Sequence, residues 1–237
     1  DTGIVFVLLP GGTFTMGSQK EDPTGPNFDP AAQPLEKPHV ETLEPFFLAR
    51  HEMTQAQWAR LWSGDESMRW PSDSWERTHP VNNVTWHMSD ELMTRHGLVL
   101  PEDAQWEYGC RAGTTTVFWS GDKAADLAGN ANVFDQAGAR GAPHWRDLFE
   151  AFDDGFFMSS PVGSFGANAF GLYDVHGNAL EWCLDGPAQA SSERNQRGGN
   201  FSGTAELLGS GRQRSVNPAL LFNSVSLRPA RALRLPD

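Results

Sequence analysis

Cysteine is nearly absent from this chain of 237 residues: there are two, Cys110 and Cys183, and no CxxC spacing. A disulfide framework needs more thiols, and a zinc–thiolate site needs them paired. Both residues therefore read as free, buried core thiols. Basic residues are also few. Eighteen Lys and Arg stand against 30 Asp and Glu, a net charge of −12. Nucleic acid and anionic membrane surfaces need a basic face and are excluded as expected partners. No apolar run approaches the ~20 residues that span a bilayer, so no membrane insertion is expected. The HExxH, GxSxG, P-loop and Rossmann signatures are missing, and the seven histidines are scattered. No secretory signal is visible and the chain opens on Asp1 rather than Met. It is expected to be a piece of a longer protein, which leaves the compartment open between cytoplasm and cell surface.

What the chain has is turn formers and large aromatics: 24 Gly, 16 Pro, nine Trp and fifteen Phe. This composition predicts short elements joined by many loops. The apolar run 4–9, ending at Pro10-Gly11-Gly12, reads as a strand, and the alternation over 13–17 as the next. Residues 18–37 read as a long surface loop, and 40–48 as a strand. Helices are predicted over 54–61 behind a capping Thr54, near 88–96, and from Pro101 onward. Residues 120–160 read mostly as loop. Short strand signals return after Ser164. With no repeat and no dividing linker, the reading is one α+β domain over 1–237.

The densest chemistry lies in Phe170-Gly-Leu-Tyr-Asp-Val-His-Gly-Asn-Ala-Leu-Glu-Trp182, followed by Arg197-Gly-Gly-Asn-Phe201. Asp174 and Glu181 flank a tight Gly177-Asn178 turn between aromatic residues. Such oxygens suit a hard cation, although Glu181, like Asp154, can simply cap a turn.

These motifs do not stand alone. Gly11-Gly-Thr-Phe-Thr-Met-Gly-Ser18, Phe47-Leu-Ala-Arg-His-Glu-Met-Thr-Gln-Ala-Gln-Trp58, Pro80-Val-Asn-Asn-Val-Thr-Trp86, Leu100-Pro-Glu-Asp-Ala-Gln-Trp-Glu-Tyr-Gly-Cys-Arg-Ala-Gly113 and Ser226-Leu-Arg-Pro229 follow in register. Together they resemble the formylglycine-generating enzyme (sulfatase-modifying factor) family over nearly the whole chain. The resemblance implies a loop-rich variant of the C-type lectin fold. It also implies structural calcium at two places. One set of ligands is Asn132, the Val133 backbone, Asp154 and the Phe156 backbone. The other is Asp174, the Gly177 and Ala179 backbones, and Glu181.

Enzymes of that family hold copper(I) on two cysteines, and soft thiolates select that metal. The matching positions here are Gly203 and Leu208. No copper is expected, nor the oxidation of a sulfatase cysteine. A related branch uses non-haem iron on three histidines from an added helical domain that this chain lacks. His51 and His176 read as structural.

What remains is a binding surface. Framework residues persist across the segment 197–230, and between them sit Phe201, Ser202, Glu206, Leu207, Arg212, Arg214, Leu220, Leu221 and Ser224. Several are bulky or apolar. The pattern resembles the C-terminal variable region of retroelement-diversified proteins that use the same fold to display recognition loops. The plainer reading is that the apolar members fill the core of a fixed domain. The expectation is a non-catalytic ligand-binding domain for a protein or small molecule. The alternatives are a family oxidoreductase with an altered site, or a fixed sensor module of a larger kinase or protease.

Overall fold

A computed structural model describes residues 3–62, 71–72, 76–142, 149–187 and 191–233. The N-terminal apolar run forms β1 (Phe6–Leu9) and the alternating stretch forms β2 (Gly12–Met16). The stretch 40–48, expected as one strand, is two: β3 (His39–Leu43) and β4 (Phe46–Ala49). Pro45 has no N–H to offer a ladder, so the chain changes sheets there. β3 pairs with β2, while β4 lies between β1 and β9 (Ala230–Ala232) in an antiparallel three-stranded sheet. The segment 18–37 is less superficial than its composition suggests. Asn27, Asp29 and Glu36 are buried, and Asn27 Nδ2 donates to the Thr15 and Gly17 carbonyls.

Three helices follow as predicted. α1 (Gln55–Leu61) is capped by Thr54, whose hydroxyl accepts from Gln57 N while the Gln57 side chain returns to Thr54 N. α2 (Trp86–Arg95) starts slightly earlier than expected, because Thr85 accepts from Met88 N and fixes the cap. α3 (Asp103–Arg111) follows Pro101. The region 120–160 holds a helix the sequence did not reveal, α4 (Gln136–Gly141). Buried Asp135 nucleates it by accepting from Ala137 N and Gly138 N. Residues 143–148 of that expected loop lie outside the described residues.

The C-terminal half builds a four-stranded sheet in the order β7 (Arg214–Val216), β6 (Arg194–Arg197), β5 (Leu180–Trp182), β8 (Val225–Leu227). β5 and β8 run parallel and the other pairs are antiparallel. Around Trp58, Trp86, Leu92, Leu100 and Trp182, one face of this sheet packs on α1 and α2. A second cluster joins Leu9, Phe46, Leu48, Trp106 and Leu172. Cys110 and Cys183 are free and fully buried there, as expected, and burial pushes the Cys110 thiol up to about 12. Among the described residues no helix is long and apolar enough to cross a membrane.

Candidate functional site

The turn between Leu172 and Leu180 is held in place by left-handed backbone. Asp174, Gly177 and Asn178 all have positive φ, at 56°, 76° and 56°. Asn tolerates this region and Gly adopts it freely, which explains the Gly-Asn pair. Gly177 forms a bridge with Asn132, and Asn178 N donates to the Asn132 carbonyl at 2.8 Å. The two sets of expected cation ligands are therefore neighbours along one backbone seam.

Asn178 is the hub of that seam. Its Oδ1 accepts from Ser160 N at 2.8 Å and Asn132 Nδ2 at 3.2 Å, and its Nδ2 donates to Glu52 Oε2 at 2.8 Å. Glu52 Oε1 accepts from Ala179 N at 3.0 Å. Glu52 was not among the expected site residues, although the His51-Glu52-Met53-Thr54 motif carries it. It is buried, and burial pushes its carboxyl well above the usual range, with Asp174 and Glu181 adding to the shift.

In the first expected ligand set, Asp154 ties the loop together. Its Oδ2 accepts from Val133 N at 2.9 Å and its Oδ1 from Phe156 N at 2.8 Å. This is turn capping, but each oxygen keeps a free lone pair. Burial holds the Asp154 carboxyl up to about 6. Asn132 is fully buried. Its Nδ2 also donates to the Met158 carbonyl, while its Oδ1 has no partner. An orphaned buried amide carbonyl at Asn132 and a carboxylate at Asp154 are oxygens of the kind a hard cation takes.

The second set is divided. Asp174 Oδ2 accepts from Gly163 N at 2.6 Å and its Oδ1 is buried without a partner; burial pushes this carboxyl up to about 6. Glu181, in contrast, is already saturated. Arg228 reaches it at 2.6, 2.9 and 3.1 Å, and Trp106 Nε1 donates at 2.6 Å. A guanidinium fills here the role of countercharge that the resemblance gave to an ion. Among the described residues no three His, Cys, Asp or Glu side chains converge in a metal-binding group. The oxygens available are those of amides, single carboxylates and the backbone.

The positions matched to the family's copper cysteines lie in a different setting. Leu208 is fully buried among Phe118, Leu127, Ala131, Val133 and Ala205. A Cβ on Gly203 would meet Leu208 Cδ1 at 3.2 Å. His176 is also buried there, with Nδ1 bonded to the Leu208 carbonyl at 2.8 Å and Nε2 accepting from Trp119 N at 3.1 Å. Burial pushes this imidazole down to about 4, so it is neutral and structural.

Of the nine expected ligand-binding residues, six are exposed: Ser202, Glu206, Leu207, Arg214, Leu220 and Leu221. Leu207, Leu220 and Leu221 expose 47%, 45% and 52% of their surface, so these three do not fill a core. Arg212 and Ser224 are half-buried, and the Ser224 hydroxyl accepts from Asn200 Nδ2 at 3.1 Å. Phe201 is buried. It walls a hollow of about 320 Å³ with Phe134, Phe157 and Met158. A second hollow of about 270 Å³, also bordered by Ser202, opens beneath Leu207, Arg212 and Arg214.

Comparison with known proteins places this geometry in context. Residues 3–233 match the family model described as the sulfatase-modifying factor enzyme 1-like domain. The formylglycine-generating enzyme of Thermomonospora curvata is 28% identical over 230 residues, covering 76% of this chain and 71% of that protein. The serine/threonine-protein kinase pkn1 of Chlamydia caviae is 26% identical over 269 residues, covering 97% of this chain but 38% of the kinase. Among solved structures, PvdO from Pseudomonas aeruginosa superposes with a TM-score of 0.74 at 22% identity, over 96% of this chain and 94% of that one. Treponema denticola variable protein 1 does so with a TM-score of 0.74 at 18% identity, over 98% of each chain. These structures support the α+β, C-type lectin-like fold.

Proposed function

The chain belongs to the sulfatase-modifying factor enzyme 1-like family, and from that premise we propose that it is a non-catalytic ligand-binding domain. The observation that carries this reading is the state of the two copper positions. Gly203 offers no side chain, and Leu208 is packed into an apolar cluster. Neither can ligate a soft metal. The only two thiols, Cys110 and Cys183, are buried elsewhere with raised pKa values, so neither supplies a thiolate.

The recognition surface is the 200–227 segment, displaying Ser202, Glu206, Leu207, Arg214, Leu220 and Leu221 over the rigid β5–β8 sheet. Arg212 and Ser224 edge it, and Phe201 supports it from below. Calcium stiffens the scaffold through Asn132 Oδ1, Asp154 and the Val133 and Phe156 carbonyls. In the second set Asp174 Oδ1 and the Gly177 and Ala179 carbonyls are the open donors, while Arg228 neutralises Glu181. Binding to the folded state alone would add stability. The ion's chemistry here is structural.

Diversification of the surface by a retroelement is the finer reading, supported by the exposed apolar residues and by the likeness of fold to Treponema denticola variable protein 1. DNA flanking the gene tests it. A near-copy of the codons for 197–230, differing mainly at adenines and lying beside a reverse transcriptase gene, is the expected finding. Its absence would leave a fixed recognition domain. The kinase match over 97% of this chain favours one such domain, a sensor module within a longer protein.

A further inference from the structure

Gln196 sits in the middle of β6, fully buried, and among the described residues neither atom of its amide has a hydrogen-bond partner. A buried amide left wholly unpaired is costly, and nearly all buried polar groups in folded proteins avoid it. The neighbouring Asn195 shows the ordinary outcome: its amide bonds Gln213 and Ser215 on the opposite side of the sheet. Gln196 instead lines the 270 Å³ hollow beneath the recognition surface, with Leu180, Leu207, Asn200, Arg212 and Arg214.

The charge of this hollow is opposite to that of the chain. Among the described lining residues the charged ones are Arg212 and Arg214, with no carboxylate, in a protein of net charge −12. Arg212 Nη1 is buried and forms an ion pair with the buried Glu36, whose Oε1 lies 3.6 Å away. Arg214 rests its guanidinium 4.8 Å from the centre of the Phe222 ring, which keeps it at the rim. An unused donor is therefore available from Gln196 Nε2 and an unused acceptor from Gln196 Oε1.

We propose that this hollow binds a small free carboxylic acid carrying a hydrogen-bond donor on the adjoining carbon, an α-hydroxy or α-amino acid. The carboxylate takes donation from Gln196 Nε2, with Arg212 in the wall and Arg214 at the rim adding attraction. The α-hydroxyl or α-ammonium donates to Gln196 Oε1. One bound molecule satisfies both ends of the buried amide. At about 30 Å³ for each liquid water, the hollow suits a molecule of under about ten non-hydrogen atoms. The proposal rests on the recognition-surface reading and names the chemistry at its base.

The test uses the whole chain with L-lactate, L-alanine, acetate and acetamide as probes, read by thermal melting and by the side-chain amide signal of Gln196 in a nitrogen-15 spectrum. Lactate or alanine is expected to shift that signal saturably and to raise Tm. The lactate and alanine arms tell the hydroxy from the amino acid. Acetate, which leaves Gln196 Oε1 unpaired, should bind about tenfold more weakly, and acetamide, without charge, weaker still. Gln196→Met keeps the shape and removes the amide. It should abolish the response while raising the unliganded Tm by about 2–8 °C, because an unpaired buried amide is gone. If none of the probes moves the wild-type signal, or if Gln196→Met binds them as well as wild type, the proposal is overturned. Should a diversification template flank the gene in that case, the recognition-surface reading would survive on its own.

Discussion

Replacing Arg228 with Met is expected to cost the fold about 3–5 kcal/mol, the usual penalty for stripping one partner from a buried ion pair. Arg228 is fully buried. Besides Glu181 it holds the carbonyls of Ala49 at 3.1 Å and Tyr173 at 2.9 Å, so it joins β4, β8 and the Asp174 turn. Without it, Glu181 would keep only Trp106, in a region that also buries Glu52 and Asp174. Urea melts measure the loss, and a paired Arg228→Met, Glu181→Gln variant should recover part of it by removing the stranded charge. Wild type itself carries a penalty at Asp174: a carboxyl raised in the folded state takes up its proton there first, so lowering the pH from about 6 to about 4 relieves that penalty in wild type. A single-variant cost below about 1 kcal/mol would mean that the carboxylate cluster does not depend on this guanidinium.

Gly177→Ala is the second large effect, expected at about 3 kcal/mol or more. A Cβ there would land on the Asn132 carbonyl, and neither backbone has room to give. The φ of 76° adds strain. Gly171 supplies the control, since it has the same φ of 76° but nothing within 4 Å of its added Cβ. Gly171→Ala should cost only about 1 kcal/mol. The difference isolates the Asn132 contact. Because Asn132 and Val133 belong to the proposed calcium set, paired melts in calcium and in chelator read the same seam. Wild type should gain on the order of 2–3 kcal/mol at calcium a hundredfold above its Kd. In Gly177→Ala, which displaces Asn132, that gain should be largely lost. Equal melting of wild type in calcium and chelator would remove the ion from the account.

The sequence made local features legible and long-range ones not. Thr54 and the Gly177-Asn178 pair act through their own neighbours, so their residue types sufficed to place a helix start and a turn. Pro45 lies inside a stretch of strand character, and its effect on sheet membership depends on which strands arrive later. The helix behind Asp135 is short and weakly apolar, and its cap is set by a buried carboxylate that also accepts from Asp154 N. Glu52, Gln196 and Arg228 meet their surroundings across 30 or more residues or, for the Gln196 amide, meet no partner at all. No spacing rule reports such a relation. For Glu181 the motif showed the residue, but the fold gave it an arginine where a cation was expected. The exposure of Leu207, Leu220 and Leu221 likewise needed the structure, since the same letters could have filled a core.

The proposed role is a family scaffold that binds without turning over, and thiol-dependent oxygen uptake in the presence of copper(I) is its decisive test. With Gly203 and Leu208 at the metal positions, uptake is expected to equal that of copper and thiol in buffer alone. Saturable, protein-dependent uptake above that background would contradict the claim and return the chain to the oxidoreductases of its family.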